Sequence, residues 1–177
     1  MSFLNALCAT AAVISFASMP AFADTLPAPK GEVLLTISGD LSHETAGAAK
    51  GTVTLDLEIL QSLETQVFTT STIWIEGNIE FTGVSLRDVL DYAGATGTTI
   101  EAIASNDYKV DIPTDTLTGG SNENAPIVAY FMDGAEMSAR GKGPLWIVYP
   151  YDDDVQYRTE VVYSRSIWQL DRIVTVQ

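Results

Sequence analysis

Phe81-Thr82-Gly83-Val84-Ser85-Leu86-Arg87-Asp88-Val89-Leu90 is the stretch on which the reading of the fold turns. Ser85 stands where a helix needs a side-chain oxygen to accept from its first free N–H groups. Asp88 lies in the first turn, where a carboxylate meets the positive end of the helix dipole. Leu86, Val89 and Leu90 fall on one face, and Gly94 follows the last apolar position as a stop signal. The spacing predicts a short amphipathic helix entered by an aromatic-x-Gly step.

Outward from this helix the chain is mostly β. Val33–Ser38, Val53–Leu55, Thr99–Ser105, Lys109–Ile112, Ile127–Met132, Leu145–Tyr149 and Ile173–Val176 are β-branched, aromatic or alternating, and read as strands. Gln66–Trp74 reads as a strand or an extended loop. His43–Gly51 is a polar, hairpin-like excursion, and Thr25–Pro29 a short extended leader. Asp56 caps a second short helix carrying Leu57, Leu60 and Leu63. Asp133-Gly134 is a hairpin turn after Met132. The expected class is α+β: a mixed, mostly β sheet structure with a few short helices, in one domain over residues 24–177.

The 177 residues carry 23 acidic and 9 basic side chains, a net charge of −14. Such a chain is repelled by phosphate backbones and by anionic lipid surfaces, which argues against nucleic acid and membrane-surface partners. The charge is uneven. Residues 140–177 balance Arg140, Lys142, Arg158, Arg165 and Arg172 against five acids, so cations for an electron-rich ligand would come from there. One Cys and one His exclude cysteine-rich zinc sites and iron–sulfur clusters within one chain.

Leu4–Met19 is an apolar run ending in Pro20 and the small-residue site Ala21-Phe22-Ala23. It reads as a secretory signal peptide, residues 1–23, cleaved before Asp24. It is shorter than the roughly 20 residues of a bilayer span, so the mature chain is expected in the periplasm without membrane insertion. Cys8 lies too early, after Leu7, for a lipoprotein signal. The mature chain then has no thiolate to serve as nucleophile or metal ligand.

Three stretches in order carry a resemblance. They are the Phe81–Leu90 step; Ala104-Ser105-Asn106-Asp107-Tyr108 with Ile112-Pro113; and Val128-Ala129-Tyr130-x-Met132-Asp133-Gly134 followed by Gly143-Pro144-Leu145-Trp146-Ile147-Val148-Tyr149-Pro150. Over Gly31–Val176 the chain resembles the molybdopterin-binding domain of the sulfite oxidase family. The resemblance implies that family's pterin-binding fold. Two features depart from it. The family's enzymes hold molybdenum through a cysteine upstream of the aromatic-x-Gly step, and here that place falls near Ser71, in Phe68-Thr69-Thr70-Ser71-Thr72. Hydroxyls lack the soft sulfur such a centre uses. The further domains of the sulfite-oxidising enzymes are also not expected within these 177 residues. The chain is similar instead to small periplasmic members that bind a reduced, tetrahydropterin-like ligand without metal and signal to the periplasmic domain of a membrane-bound enzyme of cyclic-di-GMP turnover. This implies a binding module rather than a catalyst. The alternative is a small oxidoreductase that carries molybdopterin without the usual cysteine ligand.

Candidate ligand-binding residues follow. Thr70, Ser71 and Thr72 offer hydroxyls to a heterocycle's amide edge, or are simply strand residues. Trp74, Tyr108 and Trp168 are stacking candidates, whereas Trp146 sits in an apolar strand and reads as core. Asn106 and Asp107 would accept from a pterin's amino and N–H groups, or else form an Asx turn on their own backbone. Arg140 and Lys142, interleaved with Gly141 and Gly143, and Arg165 with Ser166 are the polar and cationic contributors. Arg158 reads as surface charge. His43 reads as a solvated loop residue, and Asp152-Asp153-Asp154 as a solvated acidic turn rather than a calcium site.

Overall fold

The computed structural model describes residues 24–117 and 125–177. The expected signal peptide lies outside the described residues. Strands β1 (Asp24–Leu26), β2 (Leu35–Gly39), β3 (His43–Thr45) and β4 (Thr52–Leu55) precede helix α1 (Leu57–Ser62). Strands β5 (Thr65–Ser71) and β6 (Asn78–Ser85) lead into helix α2 (Leu86–Tyr92). Then come β7 (Thr99–Ala104), β8 (Lys109–Pro113), β9 (Ile127–Met132), β10 (Ala135–Glu136) and β11 (Trp146–Val148). Helix α3 (Glu160–Arg165) and β12 (Leu170–Val176) close the chain.

Two five-stranded sheets form beside a two-stranded β1–β3 pair, and the class is α+β. One runs β4-β2-β12-β7-β8, with β12 parallel to β2 and antiparallel to β7. The other runs β10-β9-β6-β5, with β11 also pairing β9. Strand alternation turns Leu35 and Ile37 of β2 inward, and both are fully buried. They share one core with Phe81 and Val84 of β6, Leu86 of α2 and Trp146 of β11.

Local chemistry sets the helix ends. Ser85 Oγ accepts from Asp88 N, and Asp56 Oδ1 accepts from Ile59 N at 2.9 Å. Asp56 Oδ2 also accepts from the amides of Lys30 and Gly31, each at 2.8 Å, so one buried carboxylate ties the N-terminal segment to α1. Asp133 and Gly134 take φ of 51° and 77° in the β9–β10 turn.

The glycine of the aromatic-x-Gly step has a steric cause. A Cβ at Gly83 would run into the backbone carbonyl of Val128, where β6 pairs with β9 at an irregular register step. Four elements differ from the sequence reading. β6 starts at Asn78, α3 replaces irregular chain, and His43–Thr45 pairs in parallel with β1 instead of folding on itself as a hairpin. The last strand begins at Leu170 rather than Ile173. Among the described residues, no helix is long and apolar enough to cross a membrane.

Candidate functional site

Where β5 ends, the β7–β8 turn and the segment around the end of α3 converge on a cleft of about 450 Å³. Ile73 and Trp74 form one wall, Ala104, Asn106 and Tyr108 a second, and Tyr163 to Trp168 the third, Arg165 excepted.

Each wall is held by its own backbone chemistry. Thr72 Oγ1 accepts from the amides of Trp74 and Ile75, at 3.3 and 3.0 Å, which turns the chain after β5 and presents Trp74. In the β7–β8 turn, Asn106 Oδ1 accepts from Tyr108 N at 3.1 Å, an Asx turn. Asp107 takes φ of 64°, and its carboxylate accepts from Arg172 Nη2 at 2.6 Å. On the third wall, Ser166 is buried. Its hydroxyl accepts from Tyr151 Oη at 2.6 Å and donates to Val162 O at 2.8 Å. Its carbonyl accepts from Trp146 Nε1 at 3.1 Å.

All three tryptophans of the chain meet here. Trp74 lies 5.5 Å from Trp168 and 5.7 Å from Trp146, centroid to centroid, and Trp146 lies 6.3 Å from Trp168. Every pair is edge-to-face, the arrangement favoured by the ring quadrupoles. Lys142 Nζ sits 3.6 Å from the Trp168 centroid, 5.0 Å from Trp146 and 5.7 Å from Trp74. Burial against these rings pulls its ammonium below the ordinary lysine value. Tyr163 and Tyr151 extend the aromatic cluster at 5.8 and 6.3 Å from Trp74. Burial raises the phenols of Tyr149 and Tyr151 far above the ordinary tyrosine value, so both stay neutral.

The structure therefore gathers Trp74, Asn106, Tyr108, Ser166 and Trp168 around one cleft, with Lys142 against its tryptophans. Other candidates are placed elsewhere. Thr70 Oγ1 accepts from Asp152 N at 3.1 Å, and Ser71 gives its amide and hydroxyl to the Asp152 carboxylate. These contacts, with the Thr72 turn, employ all three hydroxyls inside the protein. Asp107 is paired to Arg172. Arg140 is exposed, and Arg165 is half-buried outside the lining. Gly143 serves packing rather than a ligand, since a Cβ there would strike the Met137 carbonyl. Trp146 is buried as expected, yet also completes the tryptophan cluster.

The described residues offer no thiolate where the resemblance places a metal ligand. At the place the resemblance gives to a metal-binding cysteine, the Ser71 hydroxyl donates to Asp152 Oδ1 at 2.8 Å. Among the described residues no group of three or more His, Cys, Asp or Glu could hold a metal ion. The cleft lining offers aliphatic and aromatic surface with neutral hydroxyl and amide groups, and no charged side chain.

Sequence reasoning did not single out Ile73, Ala104, Ile167 or Gln169. Ile73 is 61% exposed beside Trp74, and an isoleucine so exposed becomes meaningful only once the fold places it in a wall. Residues 44–152 match the family described as the oxidoreductase molybdopterin binding domain. The match covers β3 to the turn after β11, so the Tyr163–Trp168 wall lies beyond it. No curated protein matches the chain.

Proposed function

The chain belongs to the oxidoreductase molybdopterin-binding domain family, and from that premise we propose that it is a binding module for a reduced pterin rather than a metal-bearing catalyst. One observation carries this reading: the tryptophan-walled cleft of about 450 Å³. Small-molecule sites span roughly 300–1,000 Å³, mostly apolar with a few polar groups for orientation. A pterin is a flat bicycle with one polar amide edge. Trp74, Tyr108 and Trp168 supply aromatic surface for its faces. The Asn106 carboxamide still has its amide donors free of the turn bond it accepts, and can meet the edge.

In this reading the protein is exported, cleaved before Asp24, and acts in the periplasm. There it presents its ligand state to the periplasmic domain of a membrane-bound enzyme of cyclic-di-GMP turnover. The apolar leader with its Ala21-Phe22-Ala23 site supports the first step, and the resemblance supports the second. Intact mass of the exported protein checks the leader: the expected chain starts at Asp24, and retained Met1 overturns it.

The deciding experiment is anaerobic calorimetric titration of tetrahydropterin into the mature chain, with metal analysis of the same sample. Saturable one-to-one binding without molybdenum is expected. Stoichiometric molybdenum in the purified protein, or no heat of binding, overturns the proposal.

A further inference from the structure

Lys142 is held with unusual definition for a surface-loop lysine. Gln169, the residue after Trp168, donates its backbone N–H to Lys142 O at 3.0 Å. Its side-chain Nε2 donates to Ala139 O at 2.7 Å and reaches Gly141 O at 3.3 Å. Gln169 takes φ of 53° to do so. Gly141 and Gly143 both donate to Ser138 O, closing the loop on itself. The loop is thus fastened to the residue next to Trp168, and its ammonium lies over that ring at 3.6 Å. Among the described residues no carboxylate pairs with Lys142, and the lining of the cleft beside it contains neither an acid nor a cation. Its counter-charge is the π density of three indoles.

We propose that Lys142, acting through Trp168, makes the cleft select the electron-rich, reduced form of a flat heterocycle over its oxidised form. This rests on the pterin reading of the same cleft. An indole without the cation is an electron-rich partner, and stacks best on electron-poor rings such as an oxidised pterin. An ammonium over its face draws on the same π density and weakens that preference. The charge also favours whichever ligand state carries more electron density, since the rings shield one side of the ammonium from water. Both effects point the same way. Lys142 is a positioning and tuning residue here, not a phosphate ligand, and its partial desolvation is consistent with that role.

The test measures anaerobic dissociation constants for tetrahydropterin and for oxidised pterin on the mature wild type, Lys142→Met and Lys142→Arg. Lys142→Gln repeats the measurement with a polar neutral side chain should Met impair folding, as judged by the thermal midpoint. Loss of the charge is expected to lower the reduced-over-oxidised preference by about fivefold, and Arg to restore most of it. An unchanged ratio in the neutral variants, with both forms still binding, overturns this inference and leaves the pterin reading standing. Failure of the wild type to bind either form overturns both.

Discussion

Ser71 donates both its amide and its hydroxyl to the carboxylate of Asp152, at 2.6 and 2.8 Å, across 81 positions of sequence. The end of β5 is thereby latched to the turn after β11, and Thr70 reinforces the latch through the Asp152 amide. Arg158 completes it, donating to Asp152 Oδ1 at 2.6 Å. The latch sits immediately before the Thr72 turn that presents Trp74, so it couples an acidic surface turn to the cleft.

Asp152→Ala is expected to lower stability by roughly 1–2 kcal/mol, since it removes three hydrogen bonds at a partly solvated carboxylate. It should also weaken ligand binding, because the Trp74 turn loses its anchor. Denaturant unfolding and a pterin titration on the same variant check both. Wild-type values in each would show that the latch does not hold the wall.

Acid should expose the same dependence. The Asp152 carboxyl lies below its ordinary value, chiefly through the Ser71 amide and then its hydroxyl. Asp56 lies below it through the amides of Gly31 and Ile59. A depressed carboxyl contributes stability that is fully present above its unfolded value, about 3.9, and is lost as pH falls through the lower folded value. Thermal midpoints are therefore expected to hold down to about pH 4 and then fall steeply. Asp56→Asn should start lower and fall less over that window. Parallel acid slopes for variant and wild type would contradict the assignment.

What the sequence disclosed follows from how local each signal is. Ser85, Asp56 and Asp133-Gly134 act within a few residues of themselves, and their roles as caps and turn were legible. The run before Gly83 was not. Glu76, Gly77, Asn78 and Glu80 interrupt the alternation there, and β6 owes its strand state to pairing with both β5 and β9. Helix α3 was missed because it is six residues long and buries only Val162.

The site divides the same way. Aromatic rings at loop junctions signal themselves by type, and Trp74, Tyr108 and Trp168 do face the cleft. Hydroxyls do not, because a threonine bonded to a ligand and one bonded to a distant turn look alike in sequence. Thr70 and Ser71 find their partner 82 and 81 positions away. Asp107 was open between ligand and structure, and its ion pair with Arg172 of β12 employs it structurally.

Gly83→Ala tests the close β6–β9 pairing at the aromatic-x-Gly step. The added methyl would meet the Val128 carbonyl and the Ala129 Cα, both backbone atoms of β9 that cannot rotate away. A loss of roughly 1–3 kcal/mol is expected, read as a shift in the denaturant midpoint. A neutral effect would mean that β6 and β9 can part without penalty.

The tryptophan cluster gives the site its own reporter. With all three indoles within 6.3 Å of a neighbour, tryptophan emission comes from this one cluster at the cleft. A flat ligand stacked there should quench most of it in a single saturable phase. Quenching that does not saturate, or that leaves emission unchanged while calorimetry reports binding, would place the ligand elsewhere.

Trp74→Ala brings these threads to one measurement. Trp74 touches Trp146, Tyr151, Tyr163 and Trp168, so it is both a wall of the cleft and the hub of the aromatic cluster. Its removal takes away stacking and apolar area from the ligand, and pterin affinity should fall at least about tenfold, or about 1.4 kcal/mol. Stability should fall too, by roughly 2–4 kcal/mol, because a large half-buried ring leaves a gap that rigid neighbours fill poorly. The two losses separate through Trp74→Phe. Phenylalanine restores part of the packing and an aromatic face, so it should recover most of the stability and part of the affinity. Tyr108→Ala on the opposite wall is the complementary variant. Tyr108 is 52% exposed and packs little core, so its loss should weaken binding while moving the thermal midpoint hardly at all. Full affinity in both Trp74→Ala and Tyr108→Ala, with folding intact by circular dichroism, would mean that the ligand does not enter between these walls.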